Sequence, residues 1–381
     1  MKKNLFILAV AALTFAACSS DETVATNDAA LDANAISFRP YVNGSTRGNA
    51  IDPGVKSAWA ADNKFNVYAE YSSSKFFQAD FVTDGTNNFA PVTGQYYWPS
   101  LVDADHKVTF TAIYGIASPA TDAPGKFTAF SPVADPANQV DVLVAKKECS
   151  AKDNPVALVF SHALSKVSVR VKNDNPNLKF EISKVRIGGI KNTGEFNYNY
   201  NFSTSSASAG AVTAASTYIP ATNWNLTGDA TKFSKELASA VTVDGSSEGA
   251  DVLVATPWLL LPQSVSPISA YTTAETGGAH TESTEPGFAT GAYIALYMTI
   301  KNQATNTAIA SNEWCYWPIT INWVPGYGYT YLINLAGGGY FPTDQNNNKE
   351  NLDTVLGNPI VFNVSCTIDA WNTQTPTDVG M

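Results

Sequence analysis

The chain has 381 residues, with 23 Lys and Arg against 33 Asp and Glu and a formal net charge of −10. That balance lacks the basic footprint nucleic acid demands, so nucleic acid is excluded as a partner. Only 15% of residues are charged while 45% are hydrophobic and 12% aromatic, which suits β-structure with neutral polar faces rather than a Glu/Lys/Arg-rich helical bundle.

In chain order, Lys2 and Lys3 precede an apolar run from Leu5 to Ala17 that stops at Cys18 and gives way to Ser19-Ser20-Asp21-Glu22. A basic start, a short apolar stretch and a small-residue cleavage site describe a secretory signal over residues 1–17. Phe15-Ala16-Ala17-Cys18 resembles a bacterial lipobox, in which the Cys becomes the acylated, palmitate-bearing first residue of the mature chain. The alternative is an ordinary secretory signal with an incidental Cys. The acidic residues after Cys18 resemble the tag that exports Bacteroidales lipoproteins to the outer face of the outer membrane. The expectation is a surface-exposed protein, joined to the cell outer membrane through a lipid on Cys18. Residues 18–33 are polar and aperiodic, a flexible tether.

Period-two apolar patterns then begin. They predict strands over Ile36 to Tyr41, Lys64 to Tyr71, Gln95 to Trp98, Lys107 to Tyr114 and Val140 to Ala145. The charged, Pro-containing stretch Lys146 to Pro155 reads as a hinge. A second series covers Val156 to Lys172, Phe180 to Ile190, Glu195 to Phe202, Asp251 to Leu261, Ala292 to Lys301, Trp317 to Trp323, Gly328 to Leu335 and Pro359 to Trp371. One short segment, Ala230 to Ala240, reads as helical. The chain is thus all-β, with an N-terminal sandwich domain over 34–150 and a C-terminal one over 151–381. Two echoes agree with paired domains of related plan: Asp141-Val-Leu-Val-Ala145 recurs as Asp251-Val-Leu-Val-Ala255, and Trp98-Pro99 as Trp317-Pro318. Each five-residue run is apolar enough for a strand buried on both faces.

Few residues promise chemistry. Gly245-Ser246-Ser247-Glu248-Gly249 matches the nucleophile-elbow pattern, but a strand-like stretch follows where the elbow needs a helix, so a hairpin loop is expected. His106, His162 and His280 have no ligand partners at metal spacing, and His162 sits in an apolar segment as a structural imidazole. Asp103, Asp105 and His106 share a turn. Asp344, Asn346, Asn348 and Glu350 form an oxygen-rich loop without the EF-hand placement of glycine and glutamate. After Cys18, Cys149, Cys315 and Cys366 are far apart, and one disulfide among them is open. Tyr96, Tyr97, Trp98, Trp224, Trp314, Tyr316, Trp317 and Trp323 are candidates for a glycan platform or, more ordinarily, for the core. No catalysis, cofactor or metal is expected.

Several segments together resemble the fimbrillin family of Bacteroidales pilins and pilus-associated lipoproteins. They are the lipobox with its acidic tail, Ile36-Ser-Phe followed by Ser45-Thr-Arg47, Tyr96-Tyr97-Trp98-Pro99 with Val108-Thr-Phe-Thr-Ala-Ile-Tyr114, and Phe160-Ser-His162-Ala-Leu164-Ser-Lys166-Val167. Trp258-Leu-Leu-Leu-Pro262-Gln263, Trp323-Val-Pro325-Gly326-Tyr-Gly-Tyr329 and the terminal Asp369-Ala-Trp371 continue the series. The resemblance implies two transthyretin-like β-sandwiches in tandem and a structural or adhesive role in a surface fimbria. It also implies cleavage by a trypsin-like protease after Arg47, with Arg39 the alternative, disfavoured by Pro40 after it. Loss of the first strand then opens a groove that a neighbouring subunit fills by β-strand complementation, the donor lying within Pro359 to Met381. Host or bacterial surface ligands are a further possible class of partner. The sequence departs from a stalk pilin after Trp371, where only polar residues follow (Asn372 to Met381), so an anchor, tip or accessory role is equally open. A glycan-binding surface lipoprotein serving nutrient capture is the alternative function.

Overall fold

The computed structural model describes residues 34–42, 63–82, 89–116, 126–197, 223–245, 249–267, 291–337, 364–370 and 377–379. In the first half, strands β1 (Phe38–Val42), β2 (Lys64–Tyr71), β3 (Ser74–Val82), β4 (Ala90–Pro91), β5 (Val108–Tyr114), β6 (Lys126–Phe130), β7 (Leu143–Cys149) and β8 (Val156–His162) follow in order. Next come β9 (Ser165–Lys172), β10 (Leu178–Asn197), β11 (Trp224–Val243), β12 (Ala250–Leu260) and β13 (Ser264–Val265). The series ends with β14 (Tyr293–Asn302), β15 (Ala308–Pro318), β16 (Ile321–Asn322), β17 (Tyr327–Asn334), β18 (Val364–Ala370) and β19 (Thr377–Val379). The protein is all-β: short 3₁₀ turns are the only helical elements among the described residues.

The first sheet has the order β1-β8-β7-β5-β2-β3-β4. Alternate residues turn Val67, Phe110, Val144 and Leu158 inward, and their burial builds one core with Phe65, Phe81, Phe89 and Phe160. In the second half, β11-β10-β14-β15 (with β6 beside β10) faces β12-β9-β17-β18-β19. Ile182, Ile187, Leu296 and Trp317 from one sheet meet Val167, Trp258, Tyr331 and Ile333 from the other in a second core, the arrangement of a sandwich.

Several expectations are corrected. Val156 to Lys172 is two strands, not one. β8 lies in the first sheet, beyond the expected boundary at residue 150, and β9 lies in the second half; the change of sheet falls at Ala163-Leu164. Ala230 to Ala240 is strand, not helix. Phe233 and Leu237 are spaced four apart, which mimics a helical face, but β11 pairs with β10 along its length. Phe233 and Leu237 are an even number of residues apart, so the period-two alternation of a strand turns both toward the core, and the register slips only beyond Glu236 (opposite Lys184), before Val241 (opposite Ile182). Tertiary pairing here overrides the helix propensity of Ala, Lys and Glu. Gln95 to Trp98 forms one isolated bridge, Ala35 with Tyr97, rather than a strand. Of the echoed runs, Asp141 to Ala145 is fully buried, whereas Val254 and Ala255 are exposed, because β12 bulges between Leu253 and Trp258.

Gly189 has φ +72° and a Cβ there would lie 1.7 Å from the carbonyl oxygen of Gly291. Gly189→Ala therefore meets both backbone strain and a clash with main chain. We predict a loss of about 2 kcal/mol or more, read as a lower urea midpoint at unchanged slope.

Candidate functional site

Strand β1 is hydrogen-bonded on both sides. On one side it runs parallel to β8, Phe38 opposite Val156 and Val42 opposite Phe160. On the other, Phe38 exchanges both backbone hydrogen bonds with Phe89 (3.2 and 2.9 Å), just before β4. Ile36 N–H donates to the Tyr96 carbonyl at 2.7 Å, and Trp98 N–H to that of Asn34 at 3.0 Å. The first strand is therefore the seam that closes the seven-stranded sheet upon itself.

Its side chains follow from the alternation. Ile36, Phe38 and Pro40 are buried and Arg39 is exposed, while Ala35 and Ser37 on the other face are buried as well, beneath Asn154. The Phe38 ring stands edge-on to Phe81 at 4.6 Å, Phe110 at 5.1 Å and Phe65 at 6.1 Å. Burial of Ile36 and Phe38 contributes roughly 3–6 kcal/mol, plus about 0.5–1.5 kcal/mol per aromatic pair. A clamp adds to this: Asn154 Oδ1 accepts from Ser37 N–H at 3.2 Å and from Ser37 Oγ at 2.7 Å, while Asn154 Nδ2 donates to the Ala35 carbonyl at 2.6 Å. Neither Phe89 nor Asn154 was legible as a partner, because these contacts span many residues and carry no local pattern. The period-two run Ile36-Ser-Phe38 was the available signal.

The residues picked from sequence fall out as follows. Cys18 and Arg47 lie outside the described residues, as do His280, Ser247 and the Asp344 to Glu350 loop. Around Ser247, strand β11 leads in and strand β12 leads out, so no helix follows the serine. Of the eight aromatics, Tyr97 alone is exposed, at 45%. Trp98, Trp224, Tyr316, Trp317 and Trp323 are buried, and Tyr96 and Trp314 half-buried. Phe77 stacks on Tyr96 at 4.2 Å, and Trp224 Nε1 donates to the Ala163 carbonyl at 2.7 Å. These rings are core and cross-strand pairs, not a sugar platform.

Asp103, Asp105 and His106 do share a turn: Asp103 Oδ1 accepts from the backbone N–H of Asp105 (2.9 Å) and of His106 (2.8 Å) and lies 2.9 Å from His106 Nδ1. The His106 side-chain contact, foremost, holds the Asp103 carboxyl below the usual range. His162 is buried with Nδ1 2.5 Å from Asp141 Oδ2, at the end of β8 where the chain passes to the second half. Among the described residues no group of three or more His, Cys, Asp or Glu is placed to hold a metal. No described helix is long and apolar enough to cross a membrane. Cys149, Cys315 and Cys366 are buried thiols that form no disulfide with one another. Burial raises Cys149 to about 11 and Cys366 to about 12.

Comparison with known proteins agrees with the resemblance drawn from sequence. The fimbrillin-like family matches residues 46–371. The chain belongs to the fimbrillin-like family. Membership of this family supports a fimbrial, structural component. Solved structures similar to it include a fimbrilin from Porphyromonas gingivalis, with 12% identity and TM-score 0.43, covering 88% of this chain and 97% of that one. A fimbrial assembly protein from Parabacteroides distasonis has 8% identity and TM-score 0.38, covering 91% and 99%. No curated protein matches the fimbrillin-like chain.

Two outcomes are expected. His162→Ala leaves Asp141 buried without its partner and lowers stability by about 3 kcal/mol, whereas Lys107→Ala, which removes an exposed pair with Glu148, changes it by under about 1 kcal/mol; thermal unfolding distinguishes the two. At pH 8, Cys149 and Cys366 stay unreactive toward a thiol reagent in the folded protein and react on denaturation, because burial holds both thiols neutral.

Proposed function

We propose that this fimbrillin-like protein is a lipid-anchored subunit of a surface fimbria that joins its neighbours by strand addition. Acylation of Cys18 holds it at the outer membrane. A trypsin-like protease cuts after Arg47, β1 leaves, and a donor strand from within Pro359 to Met381 of another subunit replaces it. We further propose two sandwich domains in tandem, divided between Leu164 and Ser165, where the chain passes from the first sheet into the second half, with Phe196, Trp224, Leu259 and Leu261 packing back on the first core.

The observation that supports this reading is the seam. β1 carries hydrogen bonds on both sides, so its departure exposes two rows of backbone donors and acceptors together with the pockets of Ile36 and Phe38. Open edges beside an apolar trough are unfavourable in water, and one incoming strand satisfies both. Arg47 lies five residues beyond the end of β1 at Val42, so a cut there separates the strand from the rest of the chain without breaking any described strand. The glycan reading has no comparable support, since of its eight aromatic candidates only Tyr97 is exposed.

The test is limited digestion of the full chain. Cleavage after Arg47 followed by SDS-resistant ladders is expected. A red shift in emission that Trp98→Phe abolishes should accompany it, because Trp98 is buried beside Phe110 and the start of β1. Asn154→Ala, which removes the clamp at a cost of about 1–3 kcal/mol, should speed release of the strand. A chain cut after Arg47 that stays monomeric with unchanged emission contradicts the proposal.

A further inference from the structure

We infer that the two halves depend on each other in one direction only: the second half folds on its own core and is the platform that completes the first. Among the described residues, the second core draws all its buried members from Val167 onward. The first core is built differently. Phe196, Trp224, Leu259 and Leu261, all from beyond the sheet change at Ala163-Leu164, lie buried within it, and Leu226 packs against it half-buried. A core that loses large side chains loses their burial and also the contacts around the void they leave. Without the second half the first loses two aromatic rings and two leucines at once. Without the first, the second loses none of its buried members.

Strand length and alternation account for the asymmetry. β10 and β11 run for 20 residues each, about twice the usual upper limit for a strand. Their Phe180, Ile187 and Phe233 sit in the second core, and the overhang carries Phe196 and Trp224 into the first. The Phe196 and Trp224 rings meet edge to face at 5.1 Å, and Phe130 of β6 lies 5.8 Å from Trp224. β12 divides its side chains between the cores by alternation. Trp258 and Leu260 turn into the second core, while Leu259 and, just past the end of the strand, Leu261 turn into the first. The unbroken apolar run Trp258-Leu-Leu-Leu261 is the sequence of a segment buried on both faces.

Polar contacts strap the first half to this platform. Between β5 and β7 the chain leaves the first sheet, sets β6 beside β10 with Phe130 opposite Gly194, beyond the part of β10 that pairs with β14, and returns. On the way Asp135 pairs with Lys235 of β11 at 2.7 Å, and Gln139 Oε1 accepts from the Leu259 N–H at 2.5 Å. Where β8 gives way to β9, Trp224 Nε1 donates to the Ala163 carbonyl at 2.7 Å and Gly326 N–H to that of Leu164 at 2.8 Å. Ser165 Oγ donates to the Val324 carbonyl at 2.8 Å. The carbonyls of Ala163 and Leu164 thus find their partners in the second half, and unfolding of that half would leave both groups without them.

The test is amide exchange of full-length chains through a urea series, read separately for β2, β5 and β7 and for β14 and β17. Trp224→Ala, a change in the second half, should speed exchange in β2, β5 and β7 by about a hundredfold or more, and an unchanged rate overturns the platform. Phe110→Ala weakens the first core. It should open a range of urea in which β2, β5 and β7 exchange freely while β14 and β17 stay protected. Leu296→Ala weakens the second core. No urea concentration should leave β14 and β17 open in that variant with β2, β5 and β7 still protected, and Leu296→Val gives the same reading if the alanine variant does not fold. A single coincident transition in Phe110→Ala makes the dependence mutual. First-half strands protected beside an open second half in the Leu296 variant make the halves independent. Either result overturns the proposal.

Discussion

The arrangement around Phe38 is the constraint on which the first half of the molecule depends. One ring fills a pocket of phenylalanines from three different strands, while its backbone ties β8 to the segment ahead of β4. A sheet of seven strands curls because its two edges must meet at that residue. The same residue makes closure reversible in principle, since β1 is short, lies first in the described chain and is joined to β2 by a long segment (residues 43–63). Closing a loop of that length by non-covalent contacts costs entropy, and the buried apolar side chains with the Asn154 clamp offset it.

The sheets of the second half handle their edges differently. β11 slips register between Glu236 and Val241, β12 bulges between Leu253 and Trp258, and β15 turns through Asn312 at φ +58°. Bulged edges twist away from the flat, in-register pairing an added strand needs. The remaining edge is the three-residue β19, which pairs with β18.

Much of this was readable before any coordinates. Composition and period-two alternation specified the β class, and His162 in its apolar run announced a structural imidazole, which Asp141 now explains. The reading stopped where information is non-local. Asn154 reaches back to Ser37 across the whole first half, and nothing near Asn154 in sequence announces that. β8 pairs with β1, not with its neighbour β9, so a boundary drawn from the charged stretch Lys146 to Pro155 left it on the wrong side of the sheet change. Ala230 to Ala240 misled because propensity and a four-residue apolar spacing agreed on a helix, and only pairing with β10 decides otherwise. The aromatic residues misled in another way: Trp98, Trp317 and Trp323 have the composition of a sugar platform, and burial alone removes them from it.

Backbone amide exchange measures the central idea most directly, because it reports hydrogen bonds rather than assembly. Comparing the intact chain with the chain cut after Arg47 and freed of β1, the account requires protection to fall in Val156–His162 and in the stretch from Phe89 to Trp98. Strands β9, β14 and β17 should keep theirs. Unchanged protection on both sides of the seam, or loss spread evenly over both halves, contradicts it.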